Sequence, residues 1–451
     1  MMSIKIVVGV IAVVTCIMIA VFQNKKIWFT TGAALLVILL GTIVPNSIFY
    51  LPEDVIALEG NAAARSYALV HSLTEVVKWN AVLICLGSMM LSSVLAYSKV
   101  AAHIGSSLAK RSTNLCGAVV AILVVAALVS AFVGNIAAVI IMFPVAISFC
   151  KGAGIKSGRL VSAVAMISNV EVAATLSASP ESAMFAGFSG FRFNDFFIYD
   201  GRVSFFVICQ VAMIAGCSFY YFVFAKNKKN RIEIPVENLV SWGPSIILGI
   251  MVAGLSFMSY FHHRIESATG IFVFLMGIVS MIWFKLTQKK TAAEVLEVIM
   301  KTEWKAVVFL MGTFVVAAAV RESGILSDLV LLVGNIAGDI KGYAFIILIA
   351  VSVLVSAFVD NVVYVAVLLP FASIYALAID ADPELFTFAI LLGSCIGSCI
   401  TPVGSSANII AVDMLKDNGE DFSFGEWTKT GIPFAAITAA VSGLFLWGVW
   451  N

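Results

Sequence analysis

Two duplicated stretches of the sequence differ by a single charge in an apolar setting. Residues 356–370 have the sequence SAFVDNVVYVAVLLP and contain Asp360 followed by Asn361. Residues 130–144 have the sequence SAFVGNIAAVIIMFP and contain Gly134 followed by Asn135. A carboxylate inside an apolar segment is costly, and such residues usually bind an ion or a proton. Asp360 is therefore the first candidate for a functional group.

A second acid lies in an apolar segment of the first half. Glu171 occurs in SNVEVAATLSASPES, residues 168–182. A buried ion pair with Lys or Arg is the structural alternative for both acids, but neither segment contains a base, and the nearest bases fall in predicted loops. Burial disfavours the charged form of a carboxylate, so protons and cations would compete for the same oxygens.

Small hydroxyl and amide side chains surround these acids in the sequence. They offer neutral oxygen and amide dipoles, which together with Asp360 and Glu171 form the predicted ion- and proton-binding set. The neutral members are Asn135, Thr175, Ser177, Ser179, Asn361, Thr401, Ser405, Ser406 and Asn408. Cys395 and Cys399 lie four residues apart on one helix face, as packing residues or as a ligand pair for a soft metalloid. Nothing else in the sequence predicts a metal site or a cofactor.

The composition identifies a membrane protein. Hydrophobic residues make up 61% of the chain and charged residues 12%, and the mean hydropathy is +1.05. Soluble proteins contain about 25% charged residues. The net charge of +1 gives no indication of a nucleic-acid partner. The sequence contains no P-loop of the GxxxxGK[ST] type, so an ATP-driven pump or another enzyme is not expected.

Apolar segments long enough to cross a bilayer recur from end to end. The segments without a break are predicted at residues 4–22, 27–47, 79–99, 203–225, 242–260, 269–285, 305–321 and 432–450. Broken apolar pairs are predicted at 114–150 and 343–377, and interrupted helices at 159–187 and 385–413. Residues 291–305 are amphipathic and are expected to lie along the cytoplasmic face.

The chain contains an internal repeat. Ser130 and Ser356, Asn135 and Asn361, and Thr175 and Thr401 are each 226 residues apart. We predict a first repeat at 1–225, a cytoplasmic linker at 226–241 and a second repeat at 242–451. Paired repeats with broken helices are typical of secondary transporters, because unpaired backbone at membrane depth is tolerated only around a cavity. The predicted breaks are 133–135, 177–180, 359–361 and 401–406.

The distribution of Lys and Arg predicts the orientation of the repeats. If both broken pairs are re-entrant hairpins, all basic loops lie on the cytoplasmic side, including those with Lys25, Lys26, Lys99 and Lys110. Acidic loops, with Glu75 and Asp382 among them, then lie outside. Each repeat has five crossings, so the second is inverted. The predicted fold is thus an all-α integral membrane protein with about ten transmembrane helices in two inverted repeats, each with a re-entrant hairpin and a discontinuous helix.

These motifs resemble those of the ion transporter superfamily, which includes ArsB-type arsenite permeases, NhaD-type sodium/proton antiporters, the P protein and citrate/dicarboxylate carriers. The resemblance is carried by residues 356–370, by ITPVGSSANIIAVDML at 400–415 and by residues 79–112. It implies facing hairpins, elevator-like transport, often a homodimer, and a multi-pass location in a bacterial inner membrane or a membrane derived from it. The first half departs from the family pattern at Gly134, and at 170–182, where VEVAATLSASPES replaces a glycine-rich stretch.

Three functions remain open from the sequence. A cation/proton antiporter, of the Na⁺/H⁺ type, is favoured by two intramembrane acids without an intramembrane base. A permease for arsenite, antimonite or a small anion would use neutral dipoles and helix N-termini. A transport-impaired family member that serves in organising a specialised membrane is the third. The expected partners are an inorganic ion, H⁺ and the lipid bilayer.

Overall fold

The structure is a computed structural model of the 451-residue chain. It describes residues 2–22, 25–44, 46–50, 65–225, 235–260, 268–301, 304–328, 330 and 341–451. Residues 226–234 of the predicted linker lie outside the described residues.

The described residues are almost entirely helical. The helices are α1 (Met2–Val21), α2 (Lys26–Ile43), α3 (Trp79–Ser98), α4 (Val100–Arg111), α5 (Leu115–Val133), α6 (Asn135–Ala153), α7 (Gly158–Glu171), α8 (Pro180–Ser189), α9 (Phe205–Phe224), α10 (Gly243–Ser259), α11 (Ala268–Thr287), α12 (Ala292–Lys301), α13 (Trp304–Glu322), α14 (Lys341–Ser356), α15 (Asn361–Ala378), α16 (Pro383–Gly397), α17 (Ser406–Asp417) and α18 (Phe424–Trp450). A helical segment at 65–71 continues as one π turn, Ser72–Val76, before α3.

The structure confirms the membrane fold class. Nine helices of the described residues are at least 18 residues long and apolar enough to cross a bilayer, and four shorter apolar helices accompany them. The inversion of the second repeat and the re-entrant course of the hairpins stay predictions.

All four predicted helix breaks are present. α5 and α6 are separated by Gly134 alone, and α14 and α15 by residues 357–360. The irregular stretch between α7 and α8 covers residues 172–179, and that between α16 and α17 covers 398–405. Both stretches extend further toward the N-terminus than the sequence predicted. Ser179 and Ser405 then cap the following helices through their side chains, which sets where those helices begin.

Three local features differ from the sequence prediction. Residues 100–111, predicted as part of a basic loop, form helix α4. Helix α18 begins at Phe424 rather than 432, because Ser423 and Glu426 form a capping box there. A short antiparallel pair, β1 (Ile198–Tyr199) and β2 (Arg202–Val203), precedes α9 and was not predicted.

The internal repeat reappears in the hydrogen bonds that brace the breaks. Ser130 donates to the carbonyl of Ser168, and Ser356, 226 residues later, donates to the carbonyl of Ser394. Thr175 donates to the carbonyl of Ala131, and Thr401 donates to that of Ala357. Both halves therefore hold their hairpin against their interrupted helix with the same side chains.

Close helix packing surrounds this core. A Cβ at Gly87 of α3 would lie 2.3 Å from the carbonyl oxygen of Val273 in α11, so only glycine permits that contact. Gly312 of α13 packs in the same way, though less tightly, against Thr30 of α2. Helices α3 and α13 lie beside the four breaks and line the same cavity.

Candidate functional site

The four breaks line one cavity of about 230 Å³. Helices α6, α8, α15 and α17 all begin at its wall, and α3 adds Ser88, Ser92 and Ser93. The break residues that line it are Val133, Gly134, Asn135, Ala178, Ser179, Pro180, Glu181, Asp360, Asn361, Gly404, Ser405 and Ser406. The sequence prediction that the breaks converge around polar side chains agrees with this arrangement.

Asp360 forms an ion pair inside this cavity. Its Oδ2 accepts a hydrogen bond from the Lys26 ammonium at 2.6 Å, and its Oδ1 accepts from the Val362 N–H at 3.1 Å, which caps α15. Lys26 also donates to Ser406 Oγ at 3.2 Å, and its Nζ lies 4.9 Å from the centre of the Phe309 ring. The Lys26 side chain is 26% exposed and that of Asp360 14%, so the pair is largely shielded from water.

This pair corrects one expectation from the sequence. Lys26 was assigned to a cytoplasmic loop, and the site was expected to lack a base. In the structure Lys26 is the first residue of α2, and its flexible stem carries the ammonium to a carboxylate 334 positions away in the chain. Of the described residues that line the cavity, only Lys26 is a base.

The backbone explains why the repeat is charged only once. Gly134 has φ +99°, a conformation that costs side-chain-bearing residues energy, and a Cβ there would lie 2.8 Å from the carbonyl oxygen of Ala178. Asp360 at the equivalent position has φ −58°, which suits any residue at an N-cap. The first hairpin thus has no room for the side chain that the second one uses.

A second acid in the cavity is Glu181. It lies in the first turn of α8, directly after Pro180, where Ser179 and Ser182 cap the helix reciprocally. The residue is 7% exposed, and it lines the same cavity as Asp360 and Lys26. A carboxylate in the first helical turn is favoured by the helix dipole, which offsets part of the cost of burial.

Asparagine side chains connect the two halves behind the cavity. Asn135 Nδ2 donates to Asn169 Oδ1 at 2.8 Å and to Ser405 Oγ at 3.2 Å. Asn169 Nδ2 donates in turn to Asn408 Oδ1 at 2.8 Å. Asn408 Nδ2 donates to the carbonyls of Ser398 and Thr401, the unwound backbone before α17. These bonds fix the break of one repeat to that of the other.

Glu171 lies apart from the cavity. It is fully buried at the end of α7, where Oε2 accepts a hydrogen bond from Gln210 Nε2 of α9 at 2.8 Å. Its Oε1 has no hydrogen-bond partner among the described residues. Helix α7 ends at this residue, and the chain then runs through residues 172–177 before Ala178 lines the cavity.

The remaining residues of the predicted set form two groups: those that line the cavity and those that hold the breaks in place. Asn135, Ser179, Asp360, Asn361, Ser405 and Ser406 line the cavity. Thr175, Thr401 and Asn408 instead bond to backbone carbonyls and support the breaks, and Ser177 lies 3.5 Å from the carbonyl of Phe132. Cys395 and Cys399 are fully buried outside the cavity, and Cys399 Sγ contacts the carbonyl of Met166 at 3.3 Å. Their burial agrees with the interpretation as packing residues, and the alternative of a metalloid ligand pair gains no support.

The sequence prediction missed Lys26, Glu181 and Asn169, as well as the cavity-lining serines of α3. Glu181 could have been found, because an acid directly after a Ser-Pro break falls in the first turn of a helix. Asn169 is a polar residue inside an apolar segment, which was a usable signal. Lys26 had no such signal, since its partner is determined by tertiary structure alone.

Among the described residues, the charged groups of the cavity are Asp360, Glu181 and Lys26. Two acids and one base give a formal charge of −1 when all three are ionised, because one of the two negative charges is neutralised by Lys26. The hydroxyl groups of Ser405 and Ser406 line the same cavity, where Ser405 Oγ accepts from Asn135 and Ser406 Oγ accepts from Lys26.

The comparisons with known proteins agree with this architecture. The chain is 25% identical over 429 residues to the 46 kDa membrane protein of Mycobacterium leprae, with 94% of each chain covered. It is 23% identical over 233 residues to the human P protein, covering 49% of this chain and 27% of that one. The solved YdaH transporter of Alcanivorax borkumensis has the same fold, with a TM-score of 0.61, 14% identity and coverage of 92% and 94%.

A second solved structure and a family model complete the comparison. MtrF of Neisseria gonorrhoeae, described as one of a class of antimetabolite efflux pumps, matches with a TM-score of 0.62 at 11% identity, covering 92% of this chain and 94% of that one. The model of the citrate transporter family matches residues 26–390 and 336–451. The chain is thus a membrane transporter and belongs to the citrate transporter family.

Proposed function

We propose that this transporter exchanges a small cation, Na⁺ or Li⁺, for protons at Asp360. The observation that carries the proposal is the 2.6 Å contact between Lys26 and Asp360 inside the cavity where the four breaks meet. A carboxylate held by a lysine of the same chain has three competing partners: the lysine, a proton and an external cation. Competition among them is the chemistry that an exchanger requires.

Transport of the cation is coupled to transport of the proton because Asp360 binds only one of its partners at a time. A cation bound to Asp360 displaces the Lys26 ammonium, and Glu181 in the same cavity supplies a second negative charge to hold the entering ion. A proton bound to Asp360 removes the charge that the cation needs, so the site carries one or the other. Neutral serine and asparagine groups complete the shell without adding charge, which keeps the site able to release its ion.

A second candidate, a permease for a small anion, is favoured by the helix termini. Helices α6, α8, α15 and α17 all begin at the cavity, and helix N-termini present free N–H groups and partial positive charge. Lys26 adds a full positive charge. An anion would bind to Lys26 rather than displace it, so the two candidates assign opposite roles to the same side chain.

The test is a pH-dye assay in proteoliposomes. A proton gradient is imposed, and Na⁺, Li⁺, K⁺, arsenite or citrate is added in turn to wild type and to Asp360→Asn. We expect Na⁺ or Li⁺ to dissipate the gradient in wild type and Asp360→Asn to lose at least about tenfold in rate, because an amide cannot exchange protons near neutral pH. Unchanged exchange in Asp360→Asn would contradict the proposal. A response to citrate or arsenite alone would favour the permease over the cation exchanger.

A further inference from the structure

A second cavity lies on the same helices as the first. Its volume is about 310 Å³, and its wall includes His71, Lys78, Met184, Arg321 and Ala366. We call it the distal pocket. It contains none of the residues that line the first cavity.

The two cavities are successive positions along three shared helices. On α8, Glu181 lines the first cavity and Met184 the distal pocket. On α13 the corresponding residues are Phe309 and Phe314, and on α15 they are Val362 and Ala366. At 1.5 Å per residue these separations are about 4 to 8 Å along the helix axes. About one helical turn therefore separates the nearest lining residues of the two cavities on each shared helix.

The distal pocket lies on the side of the first cavity that faces the start of α3 and the end of α13. Helix α3 lines the first cavity as far as Ala96, next to the basic residue Lys99, whereas Lys78 just before α3 lines the distal pocket. Helix α13 runs the other way, with Ala306 at the first cavity and Arg321 at the distal pocket. The orientation inferred from the basic loops puts the first cavity toward the cytoplasm and the distal pocket outside.

An ionic cluster joins two elements at the distal pocket. His71 Nδ1 lies 3.0 Å from Glu75 Oε2, and His71 Nε2 lies 3.7 Å from Glu322 Oε1 at the end of α13. Glu322 Oε1 is also 3.3 Å from Arg321. The His71 side chain is 14% exposed, so its neighbours rather than bulk water determine its interactions.

The other groups that face His71 are mostly uncharged. The Tyr67 ring stacks on the imidazole with centroids 4.8 Å apart, and the Phe49 ring lies 5.8 Å away. Lys78 lines the same pocket. The lining residues of α8 and α15 carry no charge: they are Met184, Gly187, Phe188, Ala366, Leu369 and Pro370. The described residues thus present His71 with two carboxylates, one arginine and one lysine.

We propose that the distal pocket is the outer half of the transport pathway, and that protonated His71 holds it closed by bridging Glu75 and Glu322. Neither contact is a hydrogen bond: His71 Nδ1 has no hydrogen-bond partner among the described residues, and 3.7 Å is too long for a hydrogen bond from Nε2. The imidazolium is instead attracted electrostatically to both carboxylates, whereas the neutral imidazole carries no charge. Protonation therefore strengthens the link between the segment before α3 and the end of α13. This inference rests on the proposed transport function, but its test does not use transport.

The test measures access to the distal pocket with an introduced cysteine. Ala318, which lines the pocket on α13, is replaced by cysteine, and a membrane-impermeant maleimide is added outside at pH 5.5 and at pH 8. Tyr260→Cys, at a position that is 78% exposed, provides the control for the pH dependence of thiolate reactivity. Ala96→Cys, in the first cavity, provides the control for sidedness. Peptide mass spectrometry separates these sites from the native cysteines.

We expect external labelling of Ala318→Cys, relative to Tyr260→Cys, to be about two to five times faster at pH 8 than at pH 5.5. That factor corresponds to a partly exposed ion pair. His71→Gln, which does not titrate, should abolish the difference while leaving labelling in place. If maleimide labels Ala318→Cys only from the side of the membrane from which it labels Ala96→Cys, the distal pocket is not the outer half of the pathway. A pH ratio that is unchanged in His71→Gln, or reversed in wild type, would overturn the role of His71.

Discussion

Replacing Lys26 by methionine removes the ammonium that contacts Asp360 and keeps an unbranched apolar side chain at this position. If the protein exchanges cations, an entering cation no longer has to displace the ammonium, so its apparent affinity should rise. If the protein carries a small anion, the same change removes a ligand, and anion affinity should fall. One substitution therefore distinguishes the two candidate functions by the sign of its effect.

The expected magnitude follows from the geometry of the pair. At 2.6 Å and an effective dielectric constant near 20, the bare attraction is about 6 kcal/mol. Desolvation and side-chain ordering offset most of it: exposed pairs contribute about 0–1 kcal/mol, and breaking a buried pair costs about 3–5 kcal/mol. Exposures of 26% and 14% put this pair between those limits, at about 1–3 kcal/mol. At 1.36 kcal/mol per tenfold, the half-saturating Na⁺ or Li⁺ concentration should fall by a factor of about 5 to 150.

The assay is cation-dependent dissipation of a proton gradient in proteoliposomes at alkaline pH, where proton competition is smallest. Lys25→Met is the matched control, because Lys25 is exposed and does not line the cavity. It removes the same charge from the adjacent position. An unchanged or increased half-saturating cation concentration in Lys26→Met, with Lys25→Met like wild type, would refute the competitor role of Lys26.

Two further predictions concern the other acids and the first break. Glu181→Gln should raise the half-saturating cation concentration several-fold, because the cavity loses a charge. Glu171→Gln should leave that concentration unchanged and shift only the pH profile of exchange, since Glu171 contacts Gln210 and not the cavity; equal effects of the two variants would contradict this division. Gly134→Ala should lower the melting temperature in detergent more than Gly201→Ala, by a difference of about 1–3 kcal/mol in unfolding free energy. Both glycines have positive φ, but only at Gly134 would a Cβ meet a neighbouring carbonyl, so equal losses would refute the crowding argument.

The positions of the breaks could be predicted because their signals are local. Pro180 and Gly134 interrupt helices by their own backbone chemistry, and the repeat carried the assignment from one half to the other. Helix boundaries were less accurate where capping decided them, as at Ser423 and Glu426, although the capping-box pattern was present in the sequence.

The partners of the acids could not be predicted in the same way. Lys26 and Asp360 meet only because α2 begins beside the second hairpin, a relation between elements far apart in the chain. Glu171 was assigned to the site because it is an acid in an apolar segment, yet its side chain contacts α9 instead. Apolar surroundings indicate that an acid is buried, but they do not indicate which cavity or helix it faces.

The charges of the site differ between the two repeats, although the hydrogen bonds that brace the helices are the same in both. Ser130 and Ser356 brace the two hairpins identically, and Thr175 and Thr401 brace the two interrupted helices. The charges do not repeat: Asp360 corresponds to Gly134, and Glu181 corresponds to Ala407, each at the offset of 226. A fully symmetric site would hold four acids against one lysine, and like charges in so small a volume cannot all remain ionised. With one acid from each half, the cavity keeps a single negative charge after Asp360 pairs with Lys26. Binding of either a monovalent cation or a proton would neutralise that charge.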